Sequence, residues 1–295
     1  MARPIFFFLI TLFLNIGTGN ERFLASSSPT PQMPAGTPET RGAWLARQMD
    51  DRDTGRDSRT VMRMRLFDRQ GRPRERALII TGMRGGRNLR VPADRTLIRF
   101  TEPADIRGTG FLVWEQPSGD DERFLYLPSL GRVRRIAGSE AQESFVGSDF
   151  TYEDIGGREL ESYDYRLLDD NASWKGTDGV AHPAYRLESR RKDAGARFPR
   201  VVSLVRRDNY IVVEARIFNR RDEEQKTFSA SRVEKVDGYW TVLAMTMADA
   251  QARTRTELTI EQVDYDIGLG PDDFTRRELE RPVPAGPRPA GGRVP

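Results

Sequence analysis

Apolar and charged residues alternate along most of this chain at the period of a half-buried β-strand. VMRMRLF (61–67) puts Met62, Met64 and Leu66 on one face and Arg63 and Arg65 on the other. The turn chemistry of DRQGRP (68–73) joins it to RERALIITG (74–82), which predicts a hairpin. Further strands are predicted at TLIRF (96–100), GFLVW (110–114), RFLYL (123–127) and RVRRI (132–136). After residue 185 the pattern is cleaner. YRLESR (185–190), RVVSLVRR (200–207), YIVVEARIF (210–218), KTFSASRVEKV (226–236), YWTVLAMTM (239–247) and RTRTELTIEQVDY (253–265) follow one another. The breaks between them carry Asp-Asn, Asn-Arg-Arg-Asp and Asp-Gly, so an antiparallel meander is expected, with eleven or twelve strands in all. Strand-helix-strand alternation is absent, which argues against a parallel α/β enzyme.

Helix signals are few. Thr37-Pro38-Glu39 reads as a cap with proline at the first helical position, opening a helix through Trp44, Leu45 and Gln48. A second is expected from Asp272 through Phe274 and Leu279, stopped by Pro282. A third is expected in SEAQESFVGSDFTYEDIGG (139–157), with Ser148 as cap and Gly156-Gly157 as terminator. That last stretch raises a question of its own: Phe145, Phe150 and Tyr152 stand among Gly, Ser, Asp and Glu in what otherwise reads as an exposed loop.

The ends modify this picture. MARPIFFFLITLFLNI (1–16) has Arg3 before about twelve apolar residues, and small residues follow it, so 1–25 is expected to be a cleaved export signal. Residues 26–38 form a Pro/Ser linker and 282–295 a Pro/Gly tail, which leaves 39–281 as one folded domain. With no cysteine among 295 residues, an exported chain must rely on its core. The 47 basic and 44 acidic residues make a mixed surface, without the basic face that nucleic acid needs.

Catalytic and metal chemistry find little support. His182 is the only histidine and sits in a Gly/Pro turn. DRDTG (51–55) starts like a calcium loop, but Met62 occupies the place of the bidentate glutamate. Ser189 and Lys192 have the S-x-x-K spacing at the end of a strand, where that spacing points the two side chains to opposite faces. Asp149, Glu153 and Asp154 are the one carboxylate group close enough for acid–base work, but carboxylates around a short helix start are usually caps and dipole partners. No catalytic residue, cofactor or metal is expected.

YLPSLGRVRRIAGSEAQESFVGSDFTYEDI (126–155) resembles the signature region of periplasmic outer-membrane lipoprotein-sorting-type proteins of the LolA/LolB superfamily. Tyr126-Leu127-Pro128, Arg132–Ile136 and the block from Phe145 to Asp154 carry the likeness, and PADIRGTGFLVWE (103–115) fits the same pattern. The resemblance implies a mainly β fold: a half-open antiparallel β-barrel of about eleven strands with a few helices and loops as a lid. It implies a periplasmic monomer that carries a lipid or acylated cargo. It also implies an RND/MMPL-type inner-membrane transporter or an outer-membrane acceptor as partner. A sensor or regulatory interaction protein of the same fold is the alternative.

On that reading the face with Arg63, Arg65, Arg186, Glu188, Glu214, Arg216, Arg253, Arg255 and Glu257 is the wet one. The opposite face supplies Met62, Met64, Leu66, Ile98, Phe100, Tyr185, Leu187, Ile211, Val213, Leu258 and Ile260 as cavity lining. Arg134 or Arg135 is expected to pair with Asp149 or Asp154, pinning Phe145, Phe150 and Tyr152 either over the mouth as a lid or as a satellite cluster that seals one end of a permanent core.

Overall fold

The computed structural model describes residues 32–283 other than 87, 88, 118, 158, 159 and 178. The expected export signal lies outside the described residues, as do residues 26–31 of the linker and 284–295 of the tail.

Among the described residues thirteen strands make one antiparallel sheet. They are β1 (Asp57–Phe67), β2 (Pro73–Met83), β3 (Arg95–Glu102), β4 (Gly110–Trp114), β5 (Glu122–Leu127), β6 (Arg132–Ile136) and β7 (Tyr163–Lys175). The remaining six are β8 (Ala181–Arg191), β9 (Arg200–Arg206), β10 (Val212–Phe218), β11 (Glu224–Val236), β12 (Tyr239–Asp249) and β13 (Thr254–Tyr265). The strand order is β6-β5-β4-β3-β2-β1-β13-β12-β11-β10-β9-β8-β7. The chain therefore starts mid-sheet, walks by hairpins to the β6 edge, crosses to the β7 edge, and walks back until β13 pairs with β1. Because β6 and β7 do not pair, the barrel stays open.

The thirteenth strand is β7, absent from the sequence reading. Its centre, Leu-Asp-Asp-Asn, looks like a turn, and the pairing with β8 slips between Leu167 and Asp169 and again between Asp169 and Ala172. Bulges absorb these extra polar residues but destroy the two-residue period that would reveal the strand.

Cross-strand register defines a continuous inner face. Leu78 lies opposite Met62, Leu258 opposite both Met64 and Met245, Phe228 opposite Met247, and Phe111 opposite Ile98. These residues join the main buried cluster. The outer face carries ion pairs such as Arg63–Glu261, Arg65–Glu257 and Arg216–Glu224. Exposed pairs of this kind each contribute only about 0.2–1 kcal/mol, so the inner face holds the sheet. Glu188 departs from the expected wet face: it is buried, with Arg190 and Arg200 against its carboxylate.

Two further clusters close the ends. Helix α1 (Pro38–Asp50) begins as expected, with Thr37 Oγ1 accepting from the Thr40 amide and Pro38 in its first turn. It lays Leu45, Ala46 and Met49 over Leu167, Tyr185, Leu187 and Val205, on the inner side of the β7 edge. Helix α3 (Arg276–Glu280) and the turn before it place Phe274 and Leu279 over Leu97, Leu112 and Phe124 on the outer side of β3–β5.

Gly42 lets α1 approach so closely. A Cβ there would lie 2.7 Å from the Arg166 amide nitrogen and 2.8 Å from its Cα. Alanine has better helix propensity by about 1 kcal/mol, yet it would overlap main chain that cannot rotate away. Gly42→Ala is therefore expected to lower stability by about 1–2 kcal/mol in thermal denaturation. An unchanged or raised melting temperature would show that α1 shifts freely on β7.

Candidate functional site

The 26 residues from Ala137 to Ser162 join the two edges of the sheet, and their route explains their aromatics. A connection between β6 and β7 either passes outside the barrel or crosses its open inner side. This one crosses, so it runs over the most apolar surface of the molecule and must present apolar groups to it. Phe145 and Phe150 have no solvent exposure, and Tyr152 is buried. The Phe145 ring stands 5.9 Å from that of Phe100, 5.6 Å from Phe111 and 5.5 Å from Tyr152, which itself lies 5.2 Å from Phe111. Stacked and edge-on pairs at these separations add to the burial.

Polar bonds hold the segment at its edges. The Phe145 amide donates to the Phe150 carbonyl at 2.7 Å, closing a tight loop. At its tip Val146 takes φ 49°, a left-handed conformation that a β-branched residue rarely adopts. Arg76 Nη1 donates to the Val146 carbonyl at 2.6 Å and lies 5.8 Å from the Phe100 ring. Asp149 makes the densest set of contacts. Its amide donates to Thr256 Oγ1 at 3.0 Å, its carboxylate accepts from Thr254 and Thr256, and Lys226 Nζ donates to its carbonyl.

Helix α2 (Tyr152–Gly156) then stitches the open edges together. Its cap is Thr151 rather than Ser148: Thr151 Oγ1 accepts from the Asp154 amide, and Asp154 Oδ2 accepts from the Thr151 amide in return. This capping box satisfies both orphan donors. Gly156 meets Val113 and Phe111 of β4, while Glu153 pairs with Arg191 of β8 and accepts from the Tyr163 hydroxyl. Asp149, Glu153 and Asp154 are thus all engaged in holding the segment.

The expected pairing of Arg134 or Arg135 with Asp149 or Asp154 does not occur. Arg134 binds Glu140 at 2.9 Å and Arg135 binds Glu122 at 3.5 Å. Arg135 lies on the outer face opposite Phe124 and Arg134 on the inner face opposite Leu125, each meeting a nearby glutamate, whereas Asp149 has already crossed to β13. Arg134 does approach Tyr152, whose phenol is pushed up by burial and pulled back by that guanidinium.

The lining candidates divide into two groups. Met62, Met64, Leu66, Ile98, Phe100, Ile211, Val213 and Leu258 lie in the main cluster with Phe145, Phe150 and Tyr152, and Ile260 packs against it. Tyr185 and Leu187 share that face of the sheet but are covered by α1 instead. Sequence reasoning missed Met245 and Met247, which complete a group of four methionines with Met62 and Met64. Their signal was present: they alternate with Thr246 at the same parity as Leu243. Methionine is unbranched and re-packs readily, which suits a surface that faces different partners at different times.

Beyond the plugged centre, at the end of the inner face, lies a polar cleft of about 280 Å³. Ser148 and Asp149 of the crossover form one wall, and Arg74, Lys226 and Thr254 of the sheet form another.

A family model described only as an uncharacterized-protein-like family matches residues 92–281. No curated protein matches the sequence. Among solved structures, a DUF1329 family protein from Desulfovibrio piger is 32% identical over 83% of this chain and 100% of its own, with TM-score 0.74. A protein domain from Vibrio parahaemolyticus assigned to outer-membrane lipoprotein sorting is 28% identical, over 82% of this chain and 99% of its own, with TM-score 0.72. A LolA superfamily protein from Nitrosomonas europaea shares the fold at TM-score 0.60 and 16% identity, covering 83% of this chain and 100% of its own. The chain belongs to the DUF1329 family, and its open barrel is that of the LolA-superfamily lipoprotein-sorting domains.

Proposed function

We propose that this protein is a periplasmic carrier that takes a lipid or the acyl chains of an acylated protein into the inner face of its sheet. One observation carries the reading most directly: Phe145, Phe150, Tyr152 and Ile155 of the central core are supplied by a connection between the two unpaired edges, not by the sheet. Phe145, Phe150 and Tyr152 occupy the place an acyl chain would take against Met62, Met64, Phe100 and Phe111. If they swing away, the sheet offers a preformed apolar trough with its strand pairing intact. Each buried methylene contributes about 0.8 kcal/mol, so ten to fourteen carbons give roughly 8–11 kcal/mol before ordering costs. That suffices for extraction from a membrane and still allows release.

The likeness to a domain assigned to outer-membrane lipoprotein sorting supports the same reading, as do the export-signal pattern and the direction of transport they suggest. Handover to an RND/MMPL-type transporter or an outer-membrane acceptor belongs to the proposal. Protein purified from the periplasm is expected to carry lipid, seen by native mass spectrometry and extraction. It is also expected to bind a fluorescent fatty acid when delipidated. Protein that is ligand-free and fails to bind the fatty acid would remove the carrier reading.

A further inference from the structure

The cleft at the end of the inner face has a charge arrangement that the apolar interior does not explain. Lys226 sits on the inner face, opposite Ile217 of β10 and Asp249 of β12 in register. Its side chain is almost wholly buried and lies over the Phe198 ring at 5.0 Å. Burial disfavours its charged form, against the more distant pull of Asp154, Asp249 and Asp149. Yet among the described residues no carboxylate comes within 4 Å of its ammonium, and its one hydrogen bond is to the Asp149 carbonyl. An ammonium has three donors. Arg74, on the same wall, has no ion pair among the described residues, and Arg197 has only a loose one, 3.7 Å from Glu143.

The carboxylates of the cleft are engaged elsewhere. Asp68 accepts from Arg72 and from the amides of Gln70 and Arg72. Asp149 accepts from Thr254 and Thr256, and Asp249 from Gln225 and the Ala252 amide. The acids are satisfied and the bases are not. A buried cation with spare donors at the wall of an open cleft is unfavourable unless an anion completes it.

We propose that this cleft binds an anionic group of the phosphate class, the head of an amphiphile whose chain lies in the trough. Lys226 and Arg74 are the principal ligands, and Arg197 closes the rim. The inference rests on the carrier reading and names the cargo's chemistry: an anionic lipid in preference to a neutral one. The anion takes the donors of the Lys226 ammonium that the Asp149 carbonyl leaves free.

The test compares two amphiphiles of equal chain length on the delipidated full-length processed protein, below their aggregation concentrations: dodecyl phosphate and neutral 1-lauroylglycerol. Inorganic phosphate is titrated alone as a third arm. The readout is the ratio of the two amphiphile affinities, because loosening the crossover changes both together while the ratio isolates the head group. Dodecyl phosphate is expected to bind at least about tenfold tighter, as charge-assisted bonds warrant. Lys226→Met keeps the aliphatic stem and should bring the ratio close to one. Arg74→Gln, at an exposed position with no hydrogen bond or ion pair to the crossover among the described residues, should lower it about threefold.

A wild-type ratio near one with both amphiphiles bound would overturn the anionic site and leave the carrier intact. A ratio that survives Lys226→Met would overturn the assignment of Lys226. If neither amphiphile binds, the carrier reading fails. Phosphate binding lost in Lys226→Met would then support a site for a free anion, and its absence would sink both. Inorganic phosphate binding as tightly as dodecyl phosphate would likewise place the ligand in solution rather than on a lipid.

Discussion

Phe145→Ala is expected to lower folding stability by about 3–5 kcal/mol and, in the same protein, to tighten the binding of an acyl chain. The first effect follows from burial. Phe145 has no solvent exposure and touches Phe100, Phe111 and Tyr152, so truncation removes apolar burial and leaves a void among rings that cannot collapse onto it. The second effect separates a displaceable plug from a permanent core. If the acyl chain binds only when the crossover has left the inner face, the apparent affinity equals the intrinsic affinity times the fraction of open molecules. The substitution destabilises the closed state alone, since an open crossover has already released the ring to solvent. About 3 kcal/mol corresponds to roughly a hundredfold in population, so the apparent affinity should improve by about tenfold to a hundredfold, until the open state predominates. A permanent core makes the opposite prediction, lower stability with no gain in affinity. Urea denaturation and fatty-acid titration on one preparation decide between them.

How far the sequence reveals this molecule depends on whether local pattern or global topology sets each part. Strands β8 to β13 were legible because most of each strand alternates and turn-forming residues separate them, with Asp208-Asn209 and Asp237-Gly238 the plainest breaks. Helix α1 was legible from Thr37-Pro38. Strand β7 was hidden because bulges disrupt its alternation, and the cap of α2 was misplaced by three residues because Ser148 and Thr151 are both good caps. Only the reciprocal bond from Asp154 decides it.

The β8–β9 register puts Tyr185 and Leu187 on one face with Val201, as their alternation indicates. What covers each part of it was not readable. Alternation states that a side chain is buried, and not whether α1 or the crossover buries it. The Arg134 pairing failed for the same reason. Position in sequence puts Arg134 near Asp149, but the crossing carries Asp149 across to β13. Likewise the cleft draws Lys226, Arg74 and Asp149 from three distant stretches, a juxtaposition that no spacing motif records.

A crossover fastened to the sheet by a covalent bond should not bind cargo at all. Asp149→Cys combined with Thr256→Cys provides that fastening in a chain with no other cysteine, so only one disulfide can form within a molecule. Thr256 Oγ1 accepts from the Asp149 amide at 3.0 Å and contacts its carboxylate at 2.7 Å. Contacts from one side chain to the other residue's amide fall within the Cα separation of about 4.4–6.8 Å that a disulfide spans. The closed loop exceeds a hundred residues, so the oxidised protein should gain up to about 4.7 kcal/mol, less any strain in the bridge. In the oxidised form Phe145 and Phe150 cannot leave Phe100 and Met64, and fatty-acid binding should fall by at least about tenfold. A reductant should restore it within the time of disulfide exchange, while circular dichroism remains that of a β-sheet in both states. Equal binding in the oxidised and reduced forms would mean that cargo enters without moving the crossover. The trough would then lie elsewhere, and the aromatics of the connection would be permanent core. Because the lock removes the Asp149 carboxylate in both redox states, only the covalent bond differs between them. The comparison is therefore free of the side-chain losses that complicate any single substitution in this segment.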